Sequence, residues 1–113
     1  MEIKAEGYCV WYDSEKDTVF FKGFIRLNGE EEYRPMKNLL IDLALQNEKI
    51  ALDLQELEFL NSSGINMLSM VVLTLRKQGG IHALLKGSAQ VLWQTKSLKN
   101  LQRLMPTLQI EMI

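Results

Sequence analysis

Residues Lys49 to Ile65 read KIALDLQELEFLNSSGI, and the fold turns on this stretch. In its first six residues, Lys49 to Leu54, the apolar side chains Ile50, Leu52 and Leu54 recur at every second position. That is the pattern of a strand with one buried face. Gln55 to Leu60 leads into the polar quartet Asn61-Ser62-Ser63-Gly64. From there the spacing changes. Ile65, Leu68, Val71, Val72 and Leu75 recur at three and four, which predicts a helix from about Ser62 to Lys77, stopped by Gly79-Gly80. A strand entering a helix through a short polar corner is the repeating unit of a sheet backed by helices.

Working outward, Tyr8 to Tyr12 and Thr18 to Leu27 are aromatic and β-branched runs joined by the polar turn Ser14 to Asp17, an N-terminal β-hairpin. Asn28-Gly29 closes the second run with turn chemistry. Met36, Leu39, Leu40 and Leu43 mark a helix that ends at Asn47-Glu48. Pro35 fits only a first turn, so this helix is expected to begin near Tyr33 or Arg34, behind the acidic Glu30, Glu31 and Glu32. Downstream, Ile81 to Leu85 reads as a strand. Leu98, Leu101 and Met105 mark a third helix with Ser97 as its N-cap, ended by Pro106. Leu108 to Met112 alternates as a last strand. The expected order is β-β-α-β-α-β-α-β: an α/β domain spanning residues 1–113, with a single mixed sheet, an N-terminal hairpin and about three helices.

This chain resembles the STAS family, the anti-sigma-factor antagonist and sulfate-transporter domain. The resemblance rests on the strand Ala51-Leu52-Asp53-Leu54, the apolar pair Phe59-Leu60, the quartet Asn61-Ser62-Ser63-Gly64 and the apolar helix after it. It extends to the order of elements and to a glycine in the second strand, Gly23. The chain looks like a short member. In antagonists of this family the serine after an Asp accepts phosphate from a partner kinase, so the resemblance implies Ser62 as phosphoacceptor, with Asn61, Ser63 and Gly64 around it. Asn61 stands where the family usually has Asp. The implied partners are an anti-sigma-type serine kinase and a PP2C-type serine phosphatase. The kinase would bring the nucleotide and its magnesium, so the domain itself would need no cofactor.

The residues support this physically. A helix N-terminus offers free N–H groups and partial positive charge, so a phosphate there is held without reorganising the fold. It brings about −1.5 to −2 charges at pH 7, enough to expel a partner from an apolar surface. Asn, Ser and Ser are also ordinary N-cap residues, and the rival reading is a constitutive protein-binding or assembly module in which the quartet is only a cap. If Asn61 only caps the helix, exchanging it for Asp is expected to leave the fold intact, since the two cap about equally well; if it adapts the site to a particular kinase, the exchange is expected to change the phosphorylation rate at constant stability. On the second helix, Asn66, Met70 and Leu73 fall opposite the core stripe, among Ser69 and Lys77. They are a docking patch if uncovered, but side-by-side helices are expected to cover Met70 and Leu73.

The chain carries 13 Lys and Arg against 14 Asp and Glu, a net charge of −1. No basic cluster points to nucleic acid, and no apolar run approaches the roughly 20 residues of a membrane span. The start of the chain lacks the pattern of a secretory signal, and one cysteine, Cys9, cannot pair internally; a cytoplasmic setting fits. Enzyme chemistry is not expected. His82 is the only histidine and reads as a core or edge residue, short of the three or four ligands a metal needs. Cys9 reads as a small buried residue. Trp11 and Trp93 read as packing, Asp53 and Glu56 as a solvated pair, and Lys96, Lys99 and Arg103 as the wet side of the third helix.

Overall fold

The computed structural model describes residues 2–113. Its elements are β1 (Glu2–Ala5), β2 (Tyr8–Asp13), β3 (Thr18–Ile25), α1 (Gly29–Asn47), β4 (Lys49–Leu60), α2 (Ser62–Gln78), β5 (His82–Gly87), α3 (Leu92–Leu104) and β6 (Gln109–Met112). The six strands form one mixed sheet whose spatial order follows the chain. β1, β2 and β3 pair antiparallel, while β3, β4, β5 and β6 pair parallel. Crossovers between successive parallel neighbours, all of the one hand that such connections take, put the three helices on one face, and α2 packs between α1 and α3.

The core lies between that face and the helices. Val10, Val19, Phe21, Ile25, Leu52, Leu54, Leu57 and Leu85 point into it from the sheet. Tyr33, Met36, Leu40, Leu68, Val71, Leu75, Leu98 and Leu101 meet them from the helices. The opposite face of the sheet carries no helix. There Trp11 stacks on Phe20 with ring centroids 5.4 Å apart, and the Arg26 guanidinium lies 4.8 Å from the Phe59 ring centre.

The mixed α/β sheet with its three helices is as expected, and four features differ in detail. The hairpin is a three-stranded meander, because β1 adds an edge strand that pairs Ile3 with Val10. Gly23, at φ +99°, accommodates the β1–β2 turn: a Cβ there would run into the Gly7 carbonyl oxygen, which accepts the Phe24 N–H at 2.9 Å. Helix α1 begins at Gly29, ahead of the position Pro35 seemed to dictate. Glu30, Glu31 and Glu32 are its first turn, and the Glu32 carboxylate reaches back to the Asn28 N–H at 2.9 Å. Pro35 therefore sits beyond the first turn, exposed, where water can take the Glu31 carbonyl it leaves unbonded.

Strand β4 is twice as long as its alternation suggests. Its register against β3 shifts between Phe20 and Lys22 and again between Gly23 and Phe24. These bulges break the period of two, so Leu54 and Leu57 both face the core. Helix α3 starts at Leu92, with Ser97 inside it and Val91 at the N-cap position. Its early start depends on Gln94, fully buried, whose amide donates to the Leu54 and Leu57 carbonyls at 2.6 and 3.0 Å and accepts from the Ser88 N–H. The bulged strand supplies the carbonyls that make a buried glutamine tolerable.

Candidate functional site

Parallel strands β3, β4 and β5 end at the same edge of the sheet, so helices α1, α2 and α3 all begin there. In doubly wound α/β sheets the carboxyl ends of the strands commonly hold ligands, which makes this edge the candidate site. Asn61, Ser62, Ser63 and Gly64 occupy its middle.

Asn61 is the N-cap of α2, and its side chain is fully committed. The Oδ1 atom accepts from the Gly64 N–H at 3.0 Å and from the Tyr33 hydroxyl at 2.6 Å. The Nδ2 group donates to the Leu27 carbonyl at 2.7 Å. Two donors on one atom and a carbonyl on the other leave a single orientation for the amide. The backbone joins in: Asn61 donates to the Ile25 carbonyl at 3.3 Å and accepts from the Ile65 N–H at 3.0 Å. Asn61 thus ties β3, the β3–α1 loop, α1 and α2 together. The expected freedom to exchange it for Asp does not fit this geometry, because an aspartate has no donor for Leu27.

Tyr33, only 1% exposed, comes from the first turns of α1. Burial pushes its phenol above its ordinary pKa, so it stays a neutral donor. Gly64 has its own reason to lack a side chain: a Cβ there would press into Leu60 and lie 2.7 Å from the Tyr33 Oη. Nothing in the sequence marks Tyr33 as part of this corner, since its signal is long-range, 28 residues from Asn61.

Ser62 is the first residue of α2 and is exposed, while Ser63 is half-buried. The Gly64 and Ile65 amides are taken by Asn61. Those of Ser62 and Ser63 have no acceptor among the described residues, and point outward as the first amides of any helix do. Ser63 lines a cleft of about 200 Å³ between α1 and α2, shared with Glu30, Tyr33, Lys37, Asn66, Met67 and Met70.

On α2 the outer ridge runs from Ser62 through Asn66 and Met70 to Leu73. Neither neighbouring helix covers it: Met70 is 43% and Leu73 38% exposed, against the expectation that α1 or α3 would bury them. Met67, by contrast, is buried. One further apolar residue at this edge escapes sequence reasoning. Leu92 opens α3 and is 94% exposed, and a lone leucine ahead of a helical stripe carries no signal of that.

The remaining candidates lie apart. His82 is exposed at the start of β5, not in the core. Cys9 is half-buried on the uncovered sheet face with its thiol 3.6 Å from Glu2, not a core residue. Trp93 packs against the core and donates its indole N–H to the Leu57 carbonyl at 3.2 Å. No group of acidic, histidine and cysteine side chains among the described residues could hold a metal ion, and no helix is long and apolar enough to cross a membrane.

No family model and no curated protein sequence matches this chain. Among solved structures, it resembles a chain in the crystal structure of diguanylate cyclase SiaD in complex with its activator SiaC from Pseudomonas aeruginosa. The TM-score is 0.73 at 15% identity, covering 100% of this chain and 99% of that one. At that identity the likeness establishes the fold: two chains of the same length share one α/β architecture from end to end.

Proposed function

We propose that this chain is a protein-binding regulator of the partner-switching kind, controlled by phosphorylation of Ser62, and that it has no catalytic activity of its own. The observation that carries the reading is the placement of the exposed Ser62 hydroxyl. It stands at the mouth of α2, beside two uncommitted amides, at the head of the ridge formed by Asn66, Met70 and Leu73. The structure that shares its fold contains an enzyme with its protein activator, which favours a protein partner here as well. In this reading the unphosphorylated ridge binds a target, an anti-sigma-type serine kinase or a related regulator modifies Ser62, and a PP2C-type phosphatase restores it. The cytoplasm is the expected setting.

The chemistry asks little of the domain. A kinase must reach an exposed hydroxyl, and the product must be accommodated. A phosphate on Ser62 would sit at the positive end of α2 with the Ser62 and Ser63 amides as donors. No acidic side chain lies in the first turn of α2 to oppose it. The added charge would fall at the head of an apolar ridge, where an incoming partner would have to desolvate it.

A second reading has its own support. Every polar atom of the Asn61 side chain is used within the fold, as a purely structural cap would be, so the domain would then bind its partner constitutively. Intact mass of the chain isolated from its own cells separates the two. A phosphatase-sensitive gain of about 80 Da mapped to Ser62 supports the switch. Modification confined to Ser63, or none under any growth condition, leaves the constitutive module.

A further inference from the structure

At the opposite edge of the sheet from Ser62, the β2–β3 turn curls beside the first residues of β4 and β5. Together they line an open surface cleft of about 320 Å³, at the lower end of the size range of small-molecule sites. Its apolar part is Ile50, Ala51, Ala83 and Leu84, and its polar rim includes Lys16, Lys49 and His82. The single acid in the lining is Asp17, and it is already satisfied: its carboxylate accepts from the Tyr12 hydroxyl at 2.8 Å and pairs with the Lys49 ammonium at 3.1 Å. The Tyr12 hydrogen bond first, and Lys49 second, hold Asp17 below the usual carboxylate range. Lys16 has no carboxylate within ion-pair distance among the described residues. Its ammonium lies 5.5 Å from the centre of the Phe20 ring. With Asp17 and Lys49 paired, the rim carries one unpaired ammonium, Lys16, and the His82 imidazole.

The backbone around this cleft is also unusual. Among the described residues, Asp17 and Glu48 are the two non-glycine residues with positive φ, +51° and +57°. One lines the cleft and the other immediately precedes Lys49. Both are turn positions where Gly or Asn is the ordinary occupant. At Asp17 the side chain compensates with two contacts that organise the rim.

The geometry points to a binding site for a small organic anion, a carboxylate on a short apolar body, with the apolar part on Ala51 and Leu84 and the acid group between Lys16 and Lys49. An anion without an apolar body would leave the floor wet, and an apolar molecule without a charge would leave Lys16 unanswered. The site is separate from Ser62 and does not depend on the reading given above.

The test is a nuclear magnetic resonance titration of the full chain with phenylacetate, with 2-phenylethanol and inorganic phosphate as the two partial probes. Phenylacetate is expected to give saturable shifts at the amides of residues 49–51 and 82–84 with a Kd on the order of 1 mM, and both partial probes to bind several-fold more weakly. Lys16→Gln, which leaves the Asp17–Lys49 pair in place, should weaken phenylacetate about three- to fivefold. Ala51→Leu, which fills the floor, should abolish its shifts, with thermal melts confirming that both variants fold. Phosphate matching phenylacetate, 2-phenylethanol matching it, shifts centred elsewhere, or no change in Lys16→Gln would each overturn the proposal.

Discussion

Replacing Asn61 by Asp is the sharpest test of the corner as described. The exchange preserves size and the acceptor oxygen, so the Tyr33 and Gly64 hydrogen bonds survive and become charge-assisted. What it removes is the Nδ2 donor to Leu27, and it leaves a carboxylate oxygen facing a carbonyl oxygen where they are now 2.7 Å apart across a hydrogen bond. Losing the bond and leaving a half-buried acceptor unanswered costs about 1–3 kcal/mol. The negative charge at the start of α2 returns about 0.3–1 kcal/mol. The stronger charge-assisted bonds are offset by the cost of desolvating a half-buried carboxylate, which leaves a net destabilisation of about 1–2 kcal/mol, or about 4–8 °C in Tm for a chain of this size.

The stability of Asn61→Asp should also depend on pH. Protonating the new carboxyl restores a donor for Leu27, and that gain of about 1–3 kcal/mol exceeds the roughly 0.3–1 kcal/mol by which the helix start favours the ionised form, so the folded pKa lies above the unfolded one. A group of this kind binds more protons folded than unfolded, and its stability contribution therefore grows as pH falls. The deficit of Asn61→Asp against wild type should shrink between pH 7 and about pH 4, where an ordinary carboxyl titrates. Thermal melts of both proteins across that range are the assay. Equal melting at pH 7, or a deficit that widens on acidification, would refute the argument.

Gly64→Ala should lower Tm by about 4–12 °C, because the new methyl overpacks Leu60 and Tyr33 at a cost of about 1–3 kcal/mol; an unchanged melt would mean the corner relaxes freely. Tyr33→Phe should destabilise at neutral pH by about 1–2 kcal/mol through the lost Asn61 bond. That gap should narrow above about pH 10: the raised Tyr33 pKa means its contribution is complete below the unfolded value and is lost as pH rises. Melts from pH 7 to 11 check it, and a constant gap would contradict the burial argument. Ser62→Asp, Met70→Asp and Leu73→Asp should each melt within a few degrees of wild type, all three sites being exposed. Calorimetry against the purified target should show binding at least tenfold weaker, about 1.4 kcal/mol. Loss from Ser62→Asp with no loss from the two ridge variants would detach the ridge from the proposed function.

The alternation of apolar residues in Lys49 to Leu54 and the helical stripe after Ser62 were enough to indicate a sheet backed by helices, because both segments bury one face only. What was hidden depended on partners distant in the chain. β1 has one inward apolar residue, Ile3, and forms because β2 offers it an edge. Glu32 caps Asn28 from within the helix it seemed to precede. Gln94 carries no sequence signal of burial, because the two carbonyls that receive it are exposed only by the bulges in β4. In the candidate site, the shared face of Ser62, Asn66, Met70 and Leu73 was legible because one helical wheel contains them all, but the wheel could not show that the neighbouring helices leave Met70 and Leu73 exposed. Tyr33 was not, because the bond that recruits it spans two elements.

That distribution bears on why the corner holds Asn. A capping Asp needs only the amides of α2 to satisfy it, and any fold with a helix there can use one. Asn61 is satisfied by three elements at once, and its donor is the part an Asp lacks. With Asn rather than Asp, the corner is a joint that fixes the β3–α1 loop against the start of α2 and not merely a cap on one helix. Position 61 is then neutral, and in the proposed switch the only charge on this corner would be a phosphate on Ser62. A phosphate arriving on Ser62 would meet no neighbouring carboxylate on α2 and a helix start that Asn61 holds in place. The electrostatic contrast between the two states of Ser62 would then be larger than with an ionised Asp one residue away. If Asn61→Asp is stable enough to study, phosphorylation of Ser62 should change its target affinity by a smaller factor than in the wild-type chain, and an equal or larger factor would show that the neutral joint contributes nothing to the switch.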